Sequence, residues 1–330
     1  LSLHAFFDEP SDLDWFNQGN ANSTGIGIKV GYRRVAGKIG LTTHEGGTRG
    51  AWVDKRVGLF KWMFSLGYNI SLLSEGTEHT RNEGINRSET YHGYDILCLE
   101  FGGTNMQFYG KEWMKTVNII ANHKDKLKIF ICDDPDLSFL WELLPADEDY
   151  SKWSIWANAT NAEEVLRVLK APVGVKCRHV AMDKYMEADS FSPGSIDKVV
   201  YIGRNSGRAA YFKTLGKSPY LQIAGKAKEW EDYPNLTLVD VPQQKDRRKF
   251  YRDYYGCLAI YDKKHKETGW HTGRAYHALY AGIPVLAPPG NDGLAWCYPI
   301  NEPSDIEKFV QLSVEERQAI WKKQLDKVRE

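Results

Sequence analysis

At 330 residues the chain is about twice an ordinary domain length, so two domains with separate cores are expected. Lys plus Arg equals Asp plus Glu at 43 each, which excludes a protein that coats nucleic acid by overall charge and confines any such contact to a local patch. No apolar run reaches the roughly 18 residues of a membrane span, no basic-then-apolar leader opens the chain, and five scattered cysteines without a CxxC pair fit neither a disulfide framework nor a zinc site. A reducing, cytoplasmic setting without a membrane is the expectation. The 11 Trp, 18 Tyr and 13 Phe supply rings for stacking bases or sugars as well as for the core.

Residues 1–36 hold clustered acids and aromatics (Phe6, Phe7, Asp8, Asp12, Asp14, Trp15, Phe16) and then a polar, turn-rich stretch, and read as an extension. A strand is expected over 38–43, followed by the loop His44-Glu45-Gly46-Gly47-Thr48-Arg49-Gly50, a helix over 57–66 closed by Gly67, and a strand over 68–73. Gly46 and Gly47 would let backbone N–H groups approach a phosphate. The spacing is neither G-x-G-x-x-G nor a P-loop, and alone such a loop reads more often as a plain turn. Apolar runs at 95–99 and 128–132 flank a helical stretch at 111–121, the alternation of a parallel sheet. Asp133 and Asp134 follow the second run, which puts a carboxylate at the mouth of the sheet, where it could take a proton from a hydroxyl; Asp-Asp-Pro is also a common turn. Residues 147–152 read as a charged surface loop, 163–169 as a helix and 173–179 as a strand.

A second α/β series begins after the turn-like Ser190-Phe191-Ser192-Pro193-Gly194, with strands expected over 199–202, 220–223, 236–239, 257–261 and 284–287. The first of these runs into Gly203-Arg204-Asn205-Ser206-Gly207-Arg208. Arg204 and Arg208 stand one helical turn apart at a helix entrance, where guanidinium forks match phosphate oxygens; two solvated surface arginines are an equal reading. Arg274 and His277 lie one turn apart near the start of a further helix and could address one ligand, although a lone histidine there is more often structural. The run Lys245-Asp246-Arg247-Arg248-Lys249 with Tyr251, Arg252, Tyr254 and Tyr255 could track a phosphate backbone, and a solvated helix face is the commoner explanation. Ser313-Val314-Glu315-Glu316 is a capping box opening a final helix.

Taken in order, these features resemble the DNA β-glucosyltransferases of T-even bacteriophages, within the two-domain GT-B glycosyltransferases. The likeness runs collinearly from about residue 38 to about 310 and is strongest at 59–73, 108–111, 130–139, 203–208, 241–242 and 260–287. The resemblance implies an α/β, GT-B fold of two facing Rossmann-like, doubly wound domains with a cleft between them. The corresponding divisions are an extension over 1–36, an acceptor and DNA-side domain over 37–190, a nucleotide-sugar domain over 191–312 and a C-terminal helix over 313–330. It implies a UDP-sugar donor, UDP-glucose first. The implied acceptor is double-stranded DNA carrying hydroxymethylated pyrimidines, with 5-hydroxymethylcytosine foremost, in the cytoplasm of an infected host cell. Asp133 takes the role of the base, and Arg204, Arg208 and Arg274 hold the donor diphosphate. Val241, ahead of Pro242, takes the backbone pairing with uracil, and Phe108 and Tyr109 fall on an acceptor-side loop. Mg2+ or Mn2+ could assist. Two positions depart from the family: its ribose-binding glutamate is His277 here, and its loop glutamate falls near Lys55, beside Asp54. Two other readings remain at this point, a GT-B enzyme with a non-DNA acceptor and a non-catalytic DNA-binding protein of the same fold.

Overall fold

The computed structural model describes residues 28–35, 68–72, 94–101, 121–132, 141–142, 144–180, 187–242 and 246–330. The chain divides into two compact units, one of Leu1–Glu45 and Arg56–Met182, the other of Gly46–Lys55 and Asp183–Glu330. No helix among the described residues is long and apolar enough to cross a membrane.

The first unit is built on a six-stranded sheet of β1 (Ile28–Val35), β2 (Tyr68–Leu72), β3 (Ile96–Phe101), β4 (Leu127–Cys132), β5 (Trp153–Ala157) and β6 (Lys176–His179), in the order β2-β1-β3-β4-β5-β6. Every neighbouring pair is parallel, with Val30 opposite Ile96 and Ile96 opposite Leu127. Residues 28–35, assigned above to an extension, are thus a central strand. Lys29, Arg33 and Arg34 break the continuous apolar run by which a doubly covered parallel strand is recognised. The strand expected at 38–43 lies outside the described residues. Strand β5 was not expected either, because Trp-Ser-Ile-Trp-Ala follows a charged loop and lacks the usual aliphatic run. Leu97, Cys98, Phe130, Cys132 and Ile155 are buried within the sheet's core. At the start of β4, Lys128 Nζ pairs with Glu148 Oε1 at 3.0 Å, both side chains 1% exposed, and Trp153 Nε1 donates to the same oxygen at 2.6 Å. Removing one ion alone would leave its partner uncompensated, at a cost of about 3–5 kcal/mol. Helix α1 (Ala162–Val168) is capped by Asn161, whose side chain accepts from Glu164 N.

The second unit carries β7 (Ile196–Ile202), β8 (Leu221–Ala224), β9 (Thr237–Val239), β10 (Tyr254–Leu258), β11 (Val285–Ala287) and β12 (Tyr298–Pro299), all parallel, in the order β12-β11-β10-β7-β8-β9. Counted from its own first strand this is 3-2-1-4-5-6, the dinucleotide-binding order, with the switch point between β7 and β10. The helices are α2 (Ala209–Leu215), α3 (Arg247–Arg252), α4 (Lys263–Thr268), α5 (Gly273–Tyr280), α6 (Pro303–Val310) and α7 (Val314–Arg329). Side chains alternate along β7. Val200 and Ile202 pack with Tyr251 of α3, Ala275 and Ala278 of α5 and Leu325 of α7, whereas Val199 and Tyr201 pack with Phe212 of α2 and Phe309 of α6.

The expected capping box opens α7: Ser313 Oγ accepts from Glu316 N at 3.1 Å and Glu316 Oε2 accepts from Ser313 N at 2.8 Å. The helix is fixed to the second unit by side-chain bonds to backbone. Trp321 Nε1 donates to Leu279 O at 2.8 Å, and the Gln324 amide both accepts from Val285 N at 2.9 Å and donates to Val285 O at 2.8 Å. Arg317 donates to Leu312 O and Pro193 O, with its guanidinium carbon 3.6 Å from the centre of the Tyr255 ring.

Candidate functional site

In an open parallel sheet the crevice lies beyond the carboxyl ends of the strands at the switch point, here the loops after β7 and β10. The chain leaves β7 through Gly203 at φ +147° and turns again at Gly207 at φ +71°, both conformations that favour glycine. Tyr201 OH donates to Arg204 O at 2.8 Å and pins the loop to the sheet. The Tyr201 ring is held edge-on by Phe212 and Trp230, with centroids 4.9 and 6.0 Å away, contacts worth about 0.5–1.5 kcal/mol each beyond their buried area.

Arg274 enters this corner from the first turn of α5. Its guanidinium carbon lies 4.7 Å from the Tyr201 ring centre, and Nη1 donates to Tyr201 OH at 3.2 Å. A Cβ on Gly203 would stand 2.4 Å from Arg274 Nη2, so the missing side chain at 203 is what admits the guanidinium. Burial works against the Arg274 charge, but Tyr201, Tyr251 and Cys257 outweigh it and the guanidinium pKa is raised.

Arg208 reaches the other side of the switch point. Nε donates to Ile260 O at 3.4 Å, Nη1 to Ser206 O at 3.0 Å, and Nη2 lies 3.6 Å from Asp262 Oδ2, with the side chain 16% exposed. Asp262 follows the β10 run and caps α4, accepting from His265 N at 3.0 Å, while its Oδ1 lies 2.6 Å from His265 Nδ1. Burial alone would raise this carboxyl; His265, by hydrogen bond and charge, and Arg208 reverse that and hold it at about 2. Asp262 and His265 escaped the sequence reading because Asp-x-x-His after a strand is also an ordinary helix cap. The signal available was a carboxylate directly behind the expected strand 257–261.

Arg204 is the exposed member of the three. It is 79% exposed, and its Nε lies 3.8 Å from Glu229 Oε1, on the β8 side of the loop. The three arginines therefore border one loop, with Arg208 and Arg274 seated against the protein and Arg204 extended. His277 is buried one turn beyond Arg274 on α5, and Val241 stands two residues past β9, 42% exposed. Gly46, Gly47, Phe108, Tyr109 and Asp133 lie outside the described residues; β4 ends at Cys132, immediately before Asp133. The basic run near 245–252 is largely engaged within the unit. Arg248 Nη1 pairs with Asp189 at 3.4 Å, and Arg252 Nη1 donates to Ser190 O and Ala281 O. Both side chains keep about a third of their surface exposed, Arg248 36% and Arg252 33%. Among the described residues no group of three or more His, Cys, Asp or Glu is arranged to hold a metal ion.

No family model and no curated protein matches the chain. Solved structures do. A T4 phage β-glucosyltransferase, described with its substrate binding and proposed catalytic mechanism, is 14% identical over 92% of this chain and 95% of its own, with a TM-score of 0.66. A structure of the DNA-modifying enzyme β-glucosyltransferase, solved with and without uridine diphosphoglucose, gives 14% identity and a TM-score of 0.67 over the same shares. An α-glucosyltransferase in complex with UDP and a 13-mer DNA containing an HMU base is 10% identical, covers 92% of this chain and 95% of that one, and has a TM-score of 0.60. The α/β, GT-B fold expected from the sequence is the fold of this chain.

Proposed function

We propose that the chain is an inverting glycosyltransferase. It moves a sugar from a UDP-sugar, with UDP-glucose as the first donor to test, onto the hydroxymethyl group of a 5-hydroxymethylpyrimidine in double-stranded DNA, 5-hydroxymethylcytosine foremost. The observation that carries this reading is the cationic corner at the second sheet's switch point, where Gly203 admits Arg274 against Tyr201 and Arg208 closes the opposite side. The shared fold with glucosyltransferases solved with UDP-glucose, or with UDP and HMU-containing DNA, supports it.

In this reading Asp133 accepts the proton of the hydroxymethyl O–H and the freed oxygen attacks the anomeric carbon. The bond from that carbon to the β-phosphate oxygen breaks, and UDP departs with its charge met by Arg204, Arg208 and Arg274. A single displacement inverts the anomeric configuration. Val241 offers its backbone to uracil, His277 stands on the ribose side, and Gly46 and Gly47 face the donor. The acceptor base leaves the duplex to be reached, with Phe108 and Tyr109 holding the opened strands.

The test is mass spectrometry of nucleosides from hydroxymethylated duplex treated with the full chain and a panel of UDP-sugars, with and without Mg2+ or Mn2+. One added sugar on the hydroxymethyl nucleoside is expected, with transfer slowed about a hundredfold or more by Asp133→Asn. Unmodified nucleosides with every donor would sink the reading, and wild-type transfer by Asp133→Asn would remove that residue as the base.

A further inference from the structure

Arg247 is the first residue of α3 and Arg274 the second of α5, and the two helices pack together. Arg247 Nε is buried and has no hydrogen-bond partner. Burial and the charge of Arg274 lower the Arg247 pKa, with Tyr251 acting the other way. Neither arginine forms an ion pair with a carboxylate among the described residues, although Arg248 and Arg252, one and five positions on from Arg247, both reach Asp189. The polar groups that do face the pair carry no charge near neutrality. Burial pushes the Tyr251 phenol up and the Cys257 thiol up to about 12. Thr272, which opens α5, adds a third group without a partner: its Oγ1 is buried, makes no hydrogen bond and does not cap the helix, leaving the first-turn N–H groups without that acceptor. Two guanidinium groups, an unused hydroxyl and the start of an eight-residue helix thus lie where the described residues supply donors and no anion.

We propose that Arg247 and Arg274 together bind one phosphoryl group of the nucleotide donor, with Thr272 beside them. Arg247 is then a fourth arginine of the donor site, and the like charges on α3 and α5 are held together by the ligand they take. This rests on the UDP-sugar reading above and extends it to a residue outside the three arginines named there.

Calorimetric titration of the full chain with UDP, uridine and inorganic pyrophosphate, with circular dichroism to verify folding, tests the assignment. UDP and pyrophosphate should bind more tightly than uridine. Arg247→Gln should weaken both anions about tenfold or more and leave uridine unchanged, because a charge-assisted hydrogen bond contributes that much. Arg247→Lys, which keeps the charge without the fork, should fall between the two, and Arg248→Gln should bind as wild type. Undiminished binding of both anions by Arg247→Gln overturns the assignment, as does a wild-type chain that binds neither. Wild-type UDP affinity in Arg247→Gln would leave the donor reading intact and remove only this residue. Arg247-dependent pyrophosphate binding without any preference for UDP would keep the anion site and remove the nucleotide.

Discussion

At the scale of single residues, the candidate site turns on an absent side chain. Ala at 203 would have to hold φ near +147° and would meet Arg274 Nη2 at 2.4 Å. Gly203→Ala is therefore expected to lose about 1–3 kcal/mol of stability through backbone strain and to weaken UDP binding about tenfold or more, read by thermal melts and titration. Asp262 leaves a signature in acid. Its folded carboxyl sits at about 2 against an unfolded value of about 3.9, so its contribution to stability is complete above about pH 4 and disappears as pH falls through 2. Asp262→Asn should flatten the melting-temperature curve in that window. The sequence offered the arginines of this site as candidates through their spacing at helix entrances, with solvated surface arginines an equal reading for Arg204 and Arg208. It hid Asp262 and His265, whose capping geometry is common, and Arg247, which looks like one of several surface cations until its Nε is found buried.

Among the elements, legibility followed aliphatic content more than burial. The expected 68–73, 128–132, 199–202 and 284–287 became β2, β4, part of β7 and β11, with ends moved by a few residues at most, and the more exposed β6 and β9 fall within the expected 173–179 and 236–239. An aliphatic run is a pattern that survives without knowledge of the neighbours. Strand β1 did not survive that filter, since three cations within Ile28–Val35 give it the composition of a loop. Strand β12 is two residues long and exists only because Leu286 and Ala287 offer it partners. Helix α3 carries a related lesson. Its charged composition suggested a solvated face, yet Arg248 and Arg252 tie it to the segment at 187–190 and to the end of α5. Such tertiary partners are set by strand order, which composition does not encode.

Across the whole molecule, two sheets of six parallel strands use different orders, so their switch points fall after different strands, between β1 and β3 in one unit and between β7 and β10 in the other. Parallel sheets end in strands with open backbone groups, and the second sheet closes its own margin with a helix. Where β12 is too short to cover β11, Gln324 meets Val285 N and O with its amide, a single side chain standing in for a missing strand. The consequence concerns the interior of the unit. Val285 and Gln324 are both buried, so Gln324→Ala would leave an amide hydrogen and a carbonyl oxygen with neither a partner nor water, at a cost of about 1–3 kcal/mol for each. Thermal melts should place Gln324→Ala several degrees below the parent chain. One amide on the last helix thus completes a ladder it does not belong to.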